Sequence, residues 1–480
     1  MTGLPCGRLT IILATGQPAK SGQPAKPGQP AKPGRPAWVG QPAHGSWNPP
    51  LCGRSAVDWL LDTVVAVRPD AVRFAGCGFG AVSERAEARP ALGRALGTAQ
   101  GTAVGSEGQP DITVVLSCLN PLLRPTGIRR ALRALAGSAE QTPAGDTAFR
   151  AVLIRSRGAA RWWSDAPRAV WTAAVAYTGH ADDCPEWLAR LDPADARTLR
   201  SRLRNVGAQV MVTDAGPVES LRSDDPIDRQ LAEAALYQRI AAGWQRRGVL
   251  IEDPATTRID ATVRIGKGSR IRPHTELVGD TVIGAGASIG PITTMRDTTA
   301  GDECVIRYSV CERVTIGESA NIGPFSWLRS GTQLGARTRA GSFVELADSL
   351  IGDDSQIPHL GGLIGAVVGK GCNIAGLSGT AIFDGQAKHR IEIGDHVSIG
   401  AANMLVAPLS IGDGAYTAAG SLVTRDVPSG ALAIARARQL NIEGWVARKM
   451  PGSAAAKAAQ RQHYTAARTT ARHENSSEAG

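Results

Sequence analysis

The chain has 480 residues, 43% hydrophobic and 20% charged, which leaves room for two or three domains with sizeable cores. Abundant glycine (56) and proline (29) with only 4% aromatics exclude an ordinary all-helical protein, and the lack of a strict glycine period excludes collagen. A formal charge of +10 suits anionic partners, including phosphorylated small molecules and CoA as well as nucleic acid, and eight cysteines with no C-x-x-C pair argue for reduced cytosolic thiols rather than a zinc ribbon or disulfide scaffold.

The first element is a strand over Leu9 to Leu13 (LTIIL), β-branched and bounded by Gly16. The apolar run is short and no A-x-A-like site follows it, which argues against a signal peptide. From Gln17 to Ser46 the units QPAKSG, QPAKPG, QPAKPG, RPAWVG and QPAHGS repeat with almost nothing to bury, so this stretch reads as a flexible, polyproline-leaning insertion. Its Lys20, Lys26 and Lys32 are more simply solvated linker charges than an anion site.

From Leu51 to about Gly248 helical and strand signals alternate. Ala56 to Val67 and Gly127 to Leu135 read as helices, and Ile112 to Leu116, Ala151 to Ile154 and Gln209 to Val212 as strands. Pro226 to Arg246 reads as a helix with Leu231, Ala235, Leu236 and Ile240 on one face. The alternation predicts an open α/β, Rossmann-like sheet.

After Ile259 the texture changes. Units such as IGKGSR (Ile265), IGAGAS (Ile283), IGESAN (Ile316), VGKGCN (Val368) and IGDGAY (Ile411) begin with an aliphatic residue followed by glycine. A six-residue period with one inward aliphatic is the signature of a left-handed parallel β-helix of hexapeptide repeats, at roughly 18 residues per triangular coil and about nine coils from Ile259 to Val427. No run of about 18 apolar residues occurs, so no membrane span is expected. No basic motif interleaved with aromatics favours nucleic acid.

The stretch Ile322 to Lys449 resembles the acetyltransferase half of GlmU, the bifunctional glucosamine-1-phosphate N-acetyltransferase and N-acetylglucosamine-1-phosphate uridylyltransferase family. The resemblance rests on IGPFSWLRSGTQLG, GSFVEL, IPHLGGLIG, FDGQAKHR, VAPLSIGDGAYTAAGSLVTRDVP, AIARARQ and EGW, in order and almost without gaps. The residues alone say less: a lone His359 on a glycine-lined coil either caps a loop or serves as a base near neutral pH. The resemblance implies that His359 is the catalytic base. Glu345 would orient the imidazole or hold the acceptor amine. Arg329, Asn373 and Lys388 would bind the acceptor, and Gly376, Phe383, Ala401, Ala419 and Arg436 would line the path of acetyl-CoA. It also implies a homotrimer with sites between subunits. On this basis residues 1–248 form a nucleotidyltransferase-like domain interrupted at 17–46, residues 249–450 form the acyltransferase β-helix, and 451–480 form a disordered or frayed tail.

Departures from the family pattern matter as much. Its second substrate lysine falls on Ala347, its substrate tyrosine on Gly362, and its Asn-Tyr pair before D-G on Ile382 and Phe383. In the first domain the QPAK repeat stands where a phosphate-cradling loop would continue from LATG at Leu13, Cys118 and Leu119 replace a metal-holding Gly-Asp, and a second metal-holding Asn falls near Ile227. Apolar side chains cannot supply the oxygen shell that Mg²⁺ demands. The expectation is a cytoplasmic, acetyl-CoA-dependent N-acetyltransferase acting on an anionic or sugar-like amine, with no metal site and an inactive nucleotidyltransferase domain. The alternatives are an intact bifunctional enzyme making UDP-N-acetylglucosamine and a non-catalytic trimeric scaffold.

Overall fold

The computed structural model describes residues 9–14, 51–52, 71–75, 112–117, 125–139, 150–157, 170–178, 196–215, 217–221 and 226–461. The repeat at 17–46, the helix expected over 56–67, Cys118 and Leu119 lie outside them.

Six strands form the first sheet: β1 (Leu9–Ala14), β2 (Ala71–Ala75), β3 (Ile112–Ser117), β4 (Arg150–Arg157), β5 (Val170–Thr178) and β6 (Gln209–Ala215), in the order β2-β1-β3-β5-β4-β6. The pairs β1–β2, β1–β3 and β4–β6 are parallel, whereas β5 runs antiparallel between β3 and β4. Ala151, Val152, Leu153 and Ile154 of β4 are all buried, the pattern of a strand covered on both faces. Helix α1 (Pro125–Ala139) lies across β4, β5 and β6 and buries Ile128, Ala131, Leu132 and Leu135, while α2 (Ala196–Asn205) packs against the same strands. Sequence reading missed β2, β5 and α2. Helix α2 is Arg-rich, and its buried Leu199 and Leu203 are evident only against the sheet.

Helix α3 (Pro226–Arg246) joins this sheet to the solenoid. Its buried face differs from the expected one. Ala232, Leu236 and Ala241 are buried, Ala235 and Ile240 partly so, and Leu231 is exposed. The first half of α3 packs on Leu51, Cys52 and Leu221. The second half puts Ala241, Ile240 and Trp244 against Val249 and Ile251, capping the end of the prism. Cys52 also accepts a backbone bond from Ala261 (2.9 Å), and Tyr237 reaches Asp260 (3.5 Å).

From Leu250–Ile251 to Leu432–Ala433 the chain winds into three parallel sheets of 11, 10 and 9 strands, here called faces one, two and three. This is the left-handed parallel β-helix, with about ten coils rather than nine and a first strand ahead of Ile259. Most strands expose their first residue and bury the second, as in Arg270–Ile271, Trp327–Leu328 and Gln333–Leu334. The buried residues stack into one continuous core from Val249 to Val427.

Glycine follows the inward aliphatic because the next coil passes directly over it. A Cβ on Gly352 would stand 2.6 Å from the carbonyl carbon of Gly369, and one on Gly335 2.7 Å from the Asp353 nitrogen. Coils are tied by backbone bonds such as Arg329 N–H to Leu346 O (2.8 Å). Inside the corners, buried hydroxyls satisfy carbonyls of the next coil, as Ser326 does at Gly341 O (2.7 Å). Coil length varies around the three-hexapeptide value, and one coil is much longer than the rest. Asn373 pairs with Ser398 because the segment after Gly379–Ala381 loops out before Ile391–Ile393.

Candidate active site

Face one ends, and face two begins, at a corner where one residue per coil adopts a left-handed conformation. The positions are His274, Ile292, Tyr308, Phe325, Phe343, Leu360, Leu377, Ala402 and Gly420. From Ile292 onward each N–H in this column bonds a carbonyl of the preceding coil, as in Leu377 to Leu360 (2.7 Å), Ala402 to Gly376 (2.9 Å) and Gly420 to Ala401 (2.8 Å), whereas His274 donates to Thr256 Oγ1 (3.1 Å).

His359 is the last residue of the face-one strand Gln356–His359 and precedes this corner. It is exposed, and its ring lies over Gly376 on the next coil. A Cβ at Gly376 would come within 2.6 Å of Nε2, so only glycine leaves room for this ring position. Ala401 and Ala419 occupy the same edge on the following two coils, both exposed. Arg436 follows the last strand, and its Cδ lies 4.0 Å from where a Gly420 Cβ would be. His359, Gly376, Ala401, Ala419 and Arg436 therefore run along a single edge of the prism, although they are spread over the sequence.

The other predicted residues lie to either side. Asn373 stands on face one, in register with Gln356 and Ser398, and is exposed. Glu345 opens a face-two strand beside Gly362, three residues beyond His359. Its carboxylate accepts from Arg329 Nη1 at 2.8 Å. Among the described residues no hydrogen bond joins Glu345 to His359, the first of the two roles expected of it, and its side-chain partner is Arg329. Both side chains are about two-fifths exposed, a setting in which an ion pair adds little stability.

Ala347 is buried on the same face. A Cβ added at Gly362 would meet nothing within 4 Å, so the place of the absent tyrosine is open space.

Lys388 and Phe383 lie on the loop between faces two and three, joined to each other by an antiparallel bridge, with Phe383 exposed. The loop is held by Asp384, which accepts from the backbone N–H groups of Ala387 (2.7 Å) and Gln386 (2.8 Å) and meets His389 Nε2 at 2.7 Å. The Ala387 N–H, then His389, hold the Asp384 carboxyl well below the usual carboxylate range. Arg390 anchors the far end to Asp348 (3.4 Å). Asp384 and His389 escaped sequence reasoning, although an aspartate whose side chain caps N–H groups two and three residues on is a recognisable turn. Trp327 and Glu312, beside Arg329, were also missed. Ile227, the position of a family metal-holding Asn, lies in the first turn of α3 and is exposed. Among the described residues no group of three or more His, Cys, Asp or Glu could hold a metal ion, and no helix is long and apolar enough to cross a membrane.

Fold and motifs together define a hexapeptide-repeat β-helix protein with an appended α/β sheet. No family model matches the chain. It is 48% identical over 233 residues to the bifunctional protein GlmU of Streptomyces avermitilis, covering 48% of each chain, and 44% identical over 283 residues to that of Mycolicibacterium gilvum, covering 55% of this chain and 57% of the relative. The chain is thus similar to GlmU proteins and spans about half the length of the curated relatives it matches. A solved structure of LpxA from Acinetobacter baumannii is 20% identical over 42% of this chain and 78% of its own, at a TM-score of 0.21.

Proposed function

We propose that the chain is an acyl-CoA-dependent N-acyltransferase, with acetyl-CoA as donor and the amine of a small anionic or sugar-like molecule as acceptor. The observation that carries this is the edge column. An imidazole stands at one end, a guanidinium at the other, and residues no larger than alanine lie between, so a thin pantetheine arm has a clear path beside the coils. In this reading Arg436 meets the CoA phosphates, and Phe383 borders the donor from its loop. Arg329, Asn373 and Lys388 surround the acceptor, whose anionic group an Arg fork suits.

The amine nitrogen attacks the thioester carbonyl, His359 takes the ammonium proton, and the tetrahedral intermediate collapses to an amide with CoA leaving as its thiol. Backbone N–H groups along the edge would stabilise the developing oxyanion. Glu345, paired with Arg329, would fix that guanidinium or receive the incoming ammonium, rather than orienting the imidazole. Open space at Gly362 and the small Ala347 suit an acceptor of different shape from glucosamine-1-phosphate. The test is thiol release from acetyl-CoA against a panel of amines and amino sugars; no release with any of them, and no acetyl-CoA binding, would leave the scaffold reading in its place.

The site would form between subunits of a cytoplasmic homotrimer, and a monomer by light scattering at micromolar protein would remove that part. The nucleotidyltransferase-like sheet is proposed to be inactive. Pyrophosphate release from UTP, Mg²⁺ and N-acetylglucosamine-1-phosphate would instead support the bifunctional reading.

A further inference from the structure

Arg329 is held from three sides. Its guanidinium carbon lies 4.6 Å from the centre of the Trp327 ring, on the face-two strand Trp327–Leu328 that Arg329 directly follows. The Trp327 indole is fixed at its edge, with Nε1 donating to Glu312 Oε2 at 3.4 Å on the preceding coil. On the following coil Glu345 receives Nη1 at 2.8 Å. Among the described residues this is the guanidinium's one side-chain hydrogen bond. Its remaining N–H groups are therefore unengaged on a side chain that is 43% exposed.

A free arginine on a flat sheet would sample many rotamers and lose that freedom on capturing an anion. The indole removes most of that freedom by confining the planar group to a layer over its ring. Glu345 then fixes which edge faces the protein and leaves the other edge turned outward.

We propose that Trp327, anchored by Glu312, is a positioning residue that presents the outer edge of Arg329 to the anionic group of the acceptor. This rests on the reading of Arg329 as an acceptor contact. Trp327 does not touch the reacting atoms. It acts through Arg329, so its loss alters acceptor affinity and leaves the chemical step alone.

Calorimetric titration with inorganic phosphate tests this without turnover, using Arg329→Ala to subtract binding elsewhere on the chain. Trp327→Ala is expected to weaken the Arg329-dependent phosphate binding about 5- to 30-fold, the span of a cation–π contact between exposed and desolvated limits. Trp327→Phe, which keeps a ring without the N–H, should recover most of it, and Glu312→Gln should have the smallest effect. In thiol-release assays Trp327→Ala should raise KM for an anionic amine with kcat within about twofold, and leave KM for an uncharged amine unchanged. Wild-type-like phosphate binding by Trp327→Ala, a Phe variant no better than Ala, or no Arg329-dependent phosphate binding in the wild type would each overturn the proposal. Absence of thiol release with any amine would overturn the acyltransferase reading instead, while the phosphate titration still judges Trp327.

Discussion

One corner of the prism is built in two ways along its length. From Ile292 to Leu377 the left-handed position carries Ile, Tyr, Phe, Phe, Leu and Leu, all with large exposed side chains. Tyr308, Phe325 and Phe343 form a ladder with ring centres 5.8 and 5.1 Å apart. On the next two coils the same position carries Ala402 and Gly420, and the residues just before them are Ala401 and Ala419. A left-handed conformation disfavours every residue except glycine and, less strongly, asparagine and aspartate. The bulky half therefore keeps its side chains against that preference, whereas the small half lowers its profile where the proposed donor would lie. His359 and Gly376 sit at the junction. The left-handed position recurs in both halves, and side-chain size separates a ladder from a shelf.

The most severe test of this contrast is His359→Ala. Loss of a general base should lower kcat by roughly 10²–10⁴ with acetyl-CoA binding retained, as read by steady-state thiol release and calorimetry. An unchanged kcat would show that the junction is not the reacting centre.

Next in size are changes to the shared scaffold. Leu346 is fully buried between coils, and Leu346→Ala should destabilise the prism by about 2–5 kcal/mol in denaturant unfolding. Gly352→Ala, whose added Cβ would meet the Gly369 backbone, should lose about 1–3 kcal/mol. A neutral Gly352→Ala would mean that neighbouring coils separate more easily than their spacing indicates.

A smaller effect concerns the acceptor side. Gly362→Tyr enters open space, so it should fold normally and raise kcat/KM for glucosamine-1-phosphate by about tenfold, roughly one well-placed hydrogen bond. No gain would mean that the pocket differs at more than this position.

The smallest effect is a matter of pH. Burial pushes the Cys52 and Cys311 thiols up to about 12 and also raises those of Cys304 and Cys372, all of them free. A raised folded value means that the native state favours the protonated thiol. Its contribution is complete below the ordinary value of 9.0 and is lost as pH rises from there toward about 12. Native protein at pH 8 should therefore expose at most four of its eight cysteines to a thiol reagent, and all eight in denaturant. Fast reaction of more than four would show the prism or the α3 junction opening locally.

How much could be read beforehand depended on how local the information was. The solenoid was legible because each coil repeats the same inward aliphatic, and the glycine after it answers to a neighbour only one coil away. The sheet was legible where a short run of aliphatic residues stands out, as in β1, β3 and the Ala151–Ile154 part of β4, whereas β2, β5 and α2 were not read. The buried face of α3 came out differently because two bodies share the helix. Leu51, Cys52 and Leu221 select one part of its surface and Val249 and Ile251 another, so a single periodic stripe is not what gets buried.

The amino-acid sequence by itself determined the three-faced prism, its core and the family motifs, because a six-residue period leaves the chain one way to bury an aliphatic residue in every unit. Only the tertiary structure decided which side chains meet. It paired the Glu345 carboxylate with Arg329, set Trp327 and Glu312 around that guanidinium, and aligned His359, Gly376, Ala401, Ala419 and Arg436 on one edge. Those contacts depend on the register between coils and on side-chain reach across a face, quantities that a linear pattern of apolar residues does not specify.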